Sequence, residues 1–300
     1  MEALFHSGQW LALSSAIVWA VAVILFRISG YSLHPLSLNL GKNLFALFLI
    51  ALSLVLRGNS FFPSVPSRAT SLLLLSGFLG IAISDTLFLW TLKLLGASLT
   101  AIVDCVYSPF VIGLSYIFLR ERLSWPQLLG AAFIVSAVIT ITRNNSLQAE
   151  AQAPVSRKNF ILGIISGISA MALVAIAIII IKPVLKDTPV VWATGVRLLG
   201  GTLPLLVIPL IPSKKKLFSP LFKFSTWKIL GPASFFGTYL SLIFWIGGMK
   251  YSLASVAAAL NQLSTIFIFI LAATFLKEKV TFRRAIAVIL AVFGAFLTSR

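Results

Sequence analysis

The sequence predicts an all-α membrane protein of ten transmembrane helices in two inverted five-helix repeats, and three observations predict it. The first is composition: 59% of the residues are hydrophobic, 10% are charged and mean hydropathy is +1.03. That leaves too little polar surface to face water as a globule. The second is the length of the apolar runs, since a helix needs ~20 apolar residues to cross a hydrocarbon layer of ~30 Å. The third is an internal copy. Residues 97–124 align without a gap on residues 254–281 at an offset of 157, so that Ser98 meets Ser255, Phe118 meets Phe275, Glu121 meets Glu278 and Ser124 meets Thr281. The same offset pairs Gly80 with Gly237, Ser84 with Ser241 and Lys93 with Lys250; an offset of 155 pairs Gly8 with Gly163, Arg27 with Lys182 and Lys42 with Arg197.

The apolar stretches run over residues 10–29, 35–56, 69–92, 97–118, 125–142, 160–181, 189–211, 229–249, 252–275 and 282–298. The first lacks the basic patch, short core and small-residue site of a cleaved leader, so Trp10 to Ser29 reads as a retained helix. Runs such as Ile176 to Ile181 are apolar on every face, which excludes the alternation of a spanning β-barrel. Ser124 and Gln127 form a capping box with Pro126 in the first turn, which starts the fifth helix there. Asn144 to Asn159 is polar and has no counterpart in the copy. It divides the chain into a first repeat (1–143), a linker (144–159) and a second repeat (160–300). Five helices per repeat is an odd number, which turns the second copy upside down relative to the first.

With ten spans both termini share one side. Its loops hold eight Lys and Arg against fourteen on the other side, so the positive-inside rule places the termini outside. The net charge of +17 consists of residues that flank spans, which reads as loop anchors facing lipid headgroups and not as a nucleic-acid surface. Cys105 stands alone and carries no disulfide, His6 and His34 are far apart, and no metal-ligand cluster or phosphate-binding G-x-x-x-x-G-K-[ST] string occurs. No cofactor and no ATP-driven step are expected.

LRERLS at 119–124 and LKEKVT at 276–281, each followed by an apolar span, resemble the paired signature of EamA-type members of the drug/metabolite transporter superfamily. GASLTAIVDCVYSPF at 96–110 is similar to that family's fourth helix, including Pro109. The resemblance implies a ten-helix secondary carrier in which four helices of each half surround a central cavity and the fifth packs outside. It also implies cytoplasmic termini, against the charge count. The first span has no acid, unlike small multidrug carriers of the superfamily, which disfavours proton-coupled cation export of that type. Ile266 replaces Pro109 in the second copy, so a kink is expected in the fourth helix alone.

An ionisable side chain at mid-bilayer costs ~2.5–3.5 kcal/mol on insertion scales, which makes it a candidate for a site or a pair. Lys42 and Asp104 each lie seven residues into their helices, about 10 Å deep at ~1.5 Å per residue, with Asp85 at similar depth. Arg197 and Asn261, their repeat counterparts, fall at comparable depth from the opposite side, giving two polar layers. Lys42 has two acids at its own level and reads either as half of a structural ion pair or as part of a site. Arg197 has none at membrane depth in its half: it reaches Asp85 or Asp104 across the repeats, snorkels or pairs with carbonyls, or meets an anionic group on a substrate. Asp104 reads as a fixed ion partner or as a proton-coupling acid. Asn43 lines a strip with Asn39 beside Lys42. Trp19 and Trp192 are candidate cavity walls, and Tyr107 and Tyr239 candidate hydroxyl donors. Glu121 and Glu278, between basic neighbours, read as interfacial ion pairs orienting a turn.

These features predict a secondary transporter, with export the expected direction, that moves a small polar or amphoteric metabolite such as an amino acid by alternating access. The partners are that solute and the lipid bilayer, in a monomer of the cytoplasmic (inner) membrane. A channel or structural membrane protein is the alternative. An intramembrane enzyme is disfavoured, because two His and one Cys supply no obvious catalytic set.

Overall fold

The computed structural model describes residues 2–58, 60–61, 63–122, 124–142, 156–279 and 281–298. Most of the expected linker, residues 144–155, lies outside the described residues, as do Arg143 and Arg300. The principal helices are α1 (Glu2–Ser32), α2 (Pro35–Leu56), α3 (Ser67–Leu95), α4 (Ala97–Leu119), α5 (Trp125–Thr142), α6 (Arg157–Ile181), α7 (Val190–Leu210), α8 (Phe224–Tyr251), α9 (Ala254–Phe275) and α10 (Phe282–Thr298). Eight of them, all but α5 and α10, are long and apolar enough to cross a membrane. Their outer faces expose Phe48, Val55, Ile117, Phe118, Phe275 and Ile289, while Ser37, Asn39, Lys42, Asn43 and Arg197 are buried. Apolar side chains outside and polar ones inside are what a hydrocarbon solvent selects.

The two copies interleave. Helix α1 lies against α8 and α9, and its counterpart α6 lies against α3 and α4. Three counterpart pairs pack on each other: α2 on α7, α4 on α9 and α5 on α10. Small residues allow the closest approach, since a Cβ built on Gly77 of α3 would stand 1.9 Å from the carbonyl oxygen of Arg197 on α7.

Irregularities also come in pairs. Helix α3 contains a π-helical segment at Phe78–Ser84, and α8 contains one at Phe235–Leu240. Asn39 Nδ2 donates to the Ile81 carbonyl at 2.8 Å and to Thr86 Oγ1 at 2.8 Å, occupying carbonyl capacity that the first bulge loosens. Helix α4 is interrupted at Cys105–Val106 and α9 at Gln262–Leu263, so the break occurs in both copies and not, as expected, in α4 alone. Thr265 Oγ1 of α9 donates to the Ala101 carbonyl (3.2 Å) and Gln262 Nε2 to the Asp104 carbonyl (3.3 Å). Cross-repeat side chains therefore stabilise the α4 break, and a proline is not needed to create one in α9.

The signature glutamates have a different task from the one expected. Glu278 accepts hydrogen bonds from Ala97 N (2.8 Å) and Ser98 N (3.0 Å), the first amides of α4. Glu121 accepts from Ala254 N (3.1 Å), Ser255 N (3.4 Å) and Ser255 Oγ (2.7 Å) at the start of α9. Each carboxylate thus caps the helix N-terminus of the other repeat, where unpaired N–H groups and the helix dipole favour an anion. Neither forms an ion pair with the basic residues beside it. Arg120 and Lys277 adopt left-handed backbone (φ 55° and 54°) to turn the chain into this position.

Four cations expected at the headgroups instead serve carbonyls. Arg27 Nη1 donates to Leu92 O (2.7 Å) and Lys93 O (2.9 Å) at the end of α3, and its counterpart Lys182 donates to Met249 O and Ser252 O at the end of α8. Lys93 Nζ reaches Leu33 O (3.4 Å), and Lys250 Nζ reaches Thr188 O (2.8 Å). The capping box is present: Ser124 N donates to Gln127 Oε1 at 3.0 Å and Gln127 N to Ser124 Oγ at 3.4 Å.

Two outcomes follow from these ends. Glu278→Ala should lower stability by about 1–3 kcal/mol, because two buried amides lose a charged acceptor. Glu278→Gln, which keeps one carbonyl acceptor, should lose less, and thermal unfolding in detergent measures both. The second concerns His34, whose Nδ1 accepts from Leu36 N (3.3 Å) as the N-cap of α2. Burial, then Lys93 and Lys214, lowers its pKa. The folded state favours neutral His34, so its contribution is complete above about pH 6.5 and declines as pH falls through that value. His34→Asn, which retains a capping side chain, should flatten the pH dependence of the melting temperature between about pH 7.5 and 5.5. An unchanged slope would assign the dependence elsewhere.

Candidate functional site

A cavity of about 110 Å³ lies where the repeats meet, room for roughly four waters at ~30 Å³ each. Its walls come from α1 to α4 and from α6 to α9: Trp19, Lys42, Asp85, Asp104 and Tyr107 on one side, Arg197, Thr238, Trp245, Asn261 and Gln262 on the other. Helices α5 and α10 contribute nothing to it.

Lys42 is buried on α2 and pairs with Asp85 of α3, Nζ to Oδ2 at 2.6 Å. It also donates to Asn43 Oδ1 at 3.1 Å, and Asn43 Nδ2 donates to Asn39 Oδ1 at 3.1 Å. A connected chain thus runs from the carboxylate to the π-bulge of α3. Its lysine partner is Asp85; Asp104, the other acid expected at that depth, faces the cavity with Asp85 and the Trp19 indole as its polar neighbours.

Arg197 is 1% exposed. Its Nε donates to Ser76 Oγ at 2.9 Å, and its guanidinium carbon lies 5.2 Å from the centre of the Trp245 ring. Nη1 is buried and has no hydrogen-bond partner among the described residues. The guanidinium does not snorkel outward and, among the described residues, forms no ion pair; Nε is fixed by Ser76, and Nη1 is left without a partner. Tyr107 Oη, Thr238 Oγ1, Asn261 Oδ1 and Gln262 Oε1, all on cavity-lining residues, also lack partners. Buried polar atoms without a partner are uncommon in folded interiors, and these cluster on residues that line one cavity.

Of the residues singled out from sequence, Trp19, Lys42, Asp85, Asp104, Tyr107, Arg197 and Asn261 come together around the cavity. The two layers expected from depth converge on it. Three lie elsewhere. Asn43 is behind Lys42; Trp192 Nε1 donates to Phe61 O (2.9 Å); and the Tyr239 hydroxyl is bonded to Ser53 Oγ (2.6 Å) between α8 and α2. Trp192 and Tyr239 therefore tie helices at sites their sequence positions did not reveal. Sequence reasoning missed Ser76, which holds Arg197, and no signal marked it, because its counterpart is Ala233. Thr238 and Ser241 stand next to the repeated Gly237 and carried a weak signal.

The Lys42–Asp85 pair generates an outcome of its own. Lys42→Met should destabilise by about 3 kcal/mol by leaving a carboxylate unpaired, whereas Lys42→Met with Asp85→Leu should recover most of the loss. Additive losses in thermal unfolding of the single and double variants would show the two side chains to be uncoupled.

No curated protein matches this chain. A solved crystal structure, described only as that of a protein, aligns over 97% of this chain and 96% of its own with a TM-score of 0.72 and 14% identity, which speaks for the fold alone. The model of the EamA-like transporter family matches twice, over residues 6–143 and 161–300, the same two copies that interleave around the cavity. The chain belongs to the EamA-like transporter family.

Proposed function

We propose that this family member is a secondary transporter of a small amphoteric metabolite, an amino acid or a close analogue, moved by alternating access through the cavity between the repeats. The observation that carries the substrate class is the free Nη1 edge of Arg197 facing a cavity that also presents Asp104, Asn261 Oδ1 and Gln262 Oε1. The guanidinium offers a donor to a carboxylate, and the acid and the two amide oxygens offer acceptors to an ammonium group. Tyr107 and Trp245, ring centres 6.3 Å apart, supply an apolar wall, and the small volume favours a short side chain.

The mechanism assigned here takes ten membrane spans in two inverted repeats, a reading supported by the family match over two copies. The main packing between the repeats occurs either in two equivalent versions, such as α1 on α8 and α6 on α3, or between counterpart helices, as a two-fold relation predicts. Helices α5 and α10 would complete the spans at the periphery. Export across the cytoplasmic membrane is the direction this reading assigns.

Reconstitution in liposomes tests it. Uptake of a zwitterionic amino acid should saturate and show counterflow, which a channel lacks. Arg197→Gln should lower uptake by about 30-fold, the equivalent of ~2 kcal/mol for a lost charged hydrogen bond, with folded protein retained. Arg197→Lys should restore part of it, because a point charge replaces the planar fork. Equal uptake by Arg197→Gln and the parent protein would remove Arg197 from the substrate path, and saturable uptake of cations alone would overturn the amphoteric class.

A further inference from the structure

A second cavity, unrelated to the first, is a groove of about 540 Å³ on the outer surface between α4, α5 and α6. Among the described residues its lining is Val or Ile throughout: Val106 on α4, Val135, Val138 and Ile139 on α5, and Ile161, Ile164, Ile165 and Ile168 on α6. Helix α5 packs chiefly on α10, and its contacts with α4 are few, so a gap persists beside α6. The groove has a defined length. On α6 it ends at Ile168, eleven residues from Arg157, which is about 16 Å at ~1.5 Å per residue and half of a ~30 Å hydrocarbon layer. The lined strip itself, Ile161 to Ile168, is about 10 Å long, and its inner end lies about one leaflet below Arg157.

Its outer end carries charge. Arg157 and Lys158 open α6 one turn before Ile161, and both are exposed. The second repeat does not duplicate the site: the positions equivalent to Ile161, Ile164 and Ile165 are His6, Gln9 and Trp10. We infer that this groove is a binding site for a single anionic phospholipid, one acyl chain lying along the Val/Ile strip and the phosphate meeting Arg157 and Lys158. Aliphatic lining that ends one leaflet deep selects a chain, and the basic pair at headgroup level selects the charge.

Native mass spectrometry of the full chain, offered phosphatidylglycerol and phosphatidylcholine of equal chain length, tests this. The parent protein should retain one phosphatidylglycerol in preference. Arg157→Gln with Lys158→Gln should lose the preference, and Ile161→Trp with Ile165→Trp, which fills the groove, should lose the bound lipid while unfolding at an unchanged temperature. Equal retention of the two lipids by the parent protein overturns the inference. So does an unaltered adduct in the tryptophan variant, or a dimeric mass that this variant abolishes, which would give the groove to a second copy. Should the tryptophan variant fail to fold, the Arg157/Lys158 variant decides, and a preserved preference overturns the site.

Discussion

Hydrocarbon offers backbone groups no hydrogen bonds, so every helix end and every irregular turn within a membrane must find its partners inside the protein. The rest of this structure depends on how that requirement is met. The amides opening α4 are capped by Glu278 and those opening α9 by Glu121, each from the other repeat. Carbonyls at the α4 break are taken by Thr265 and Gln262 of α9. Neither repeat can satisfy its own fourth helix. The two halves are consequently joined by polar obligations as well as by packing, and the cavity forms at that joint.

The cavity itself sets charge against a nonpolar surround. Lys42 is neutralised by Asp85 and held by Asn43, a fully connected arrangement of the sort that makes a buried charge tolerable. Duplication did not preserve this. The counterpart of Asp85 is Leu242 and that of Asp104 is Asn261, so Arg197, the counterpart of Lys42, has no acid at membrane depth in its own half, where Asp187 and Glu278 lie at span ends. Ser76 and the Trp245 ring hold the guanidinium from two directions and leave Nη1 open. The asymmetry between copies lines the cavity with an unpaired guanidinium N–H group from one repeat and an acid from the other.

The bulges and breaks place these groups. A π-bulge at the same position of α3 and α8 shifts the helix face, bringing Ser84 and Asp85 inward on one side and Thr238 and Ser241 on the other. Breaks in α4 and α9 fall next to Asp104 and Asn261, so the polar side chains and the irregular backbone share one region. Irregular backbone is stable at membrane depth only where it lines such a cavity or is buried in protein.

Helix positions were legible in the sequence because apolar length is a local property: 35–56, 125–142 and 282–298 match helix limits to the residue. The repeat was legible because its offset pairs are simple correspondences, and Lys42, Asp85, Asp104 and Arg197 stood out because charges in an apolar run are rare. Pairings were not legible. Depth along a helix does not specify the direction of a side chain, so it left Lys42 two acids to choose from and put Trp192 and Tyr239 on cavity walls they do not form. Glu121 and Glu278 looked like partners of their basic neighbours, since sequence shows adjacency and not the helix end of the other repeat above them. The sequence by itself determined a duplicated bundle of membrane helices with four charges inside its apolar spans. Only the tertiary structure decided which charge is paired and which is left open, because that depends on helix rotation and on contacts between different helices, 43 positions apart for Lys42 and Asp85 and 121 for Ser76 and Arg197.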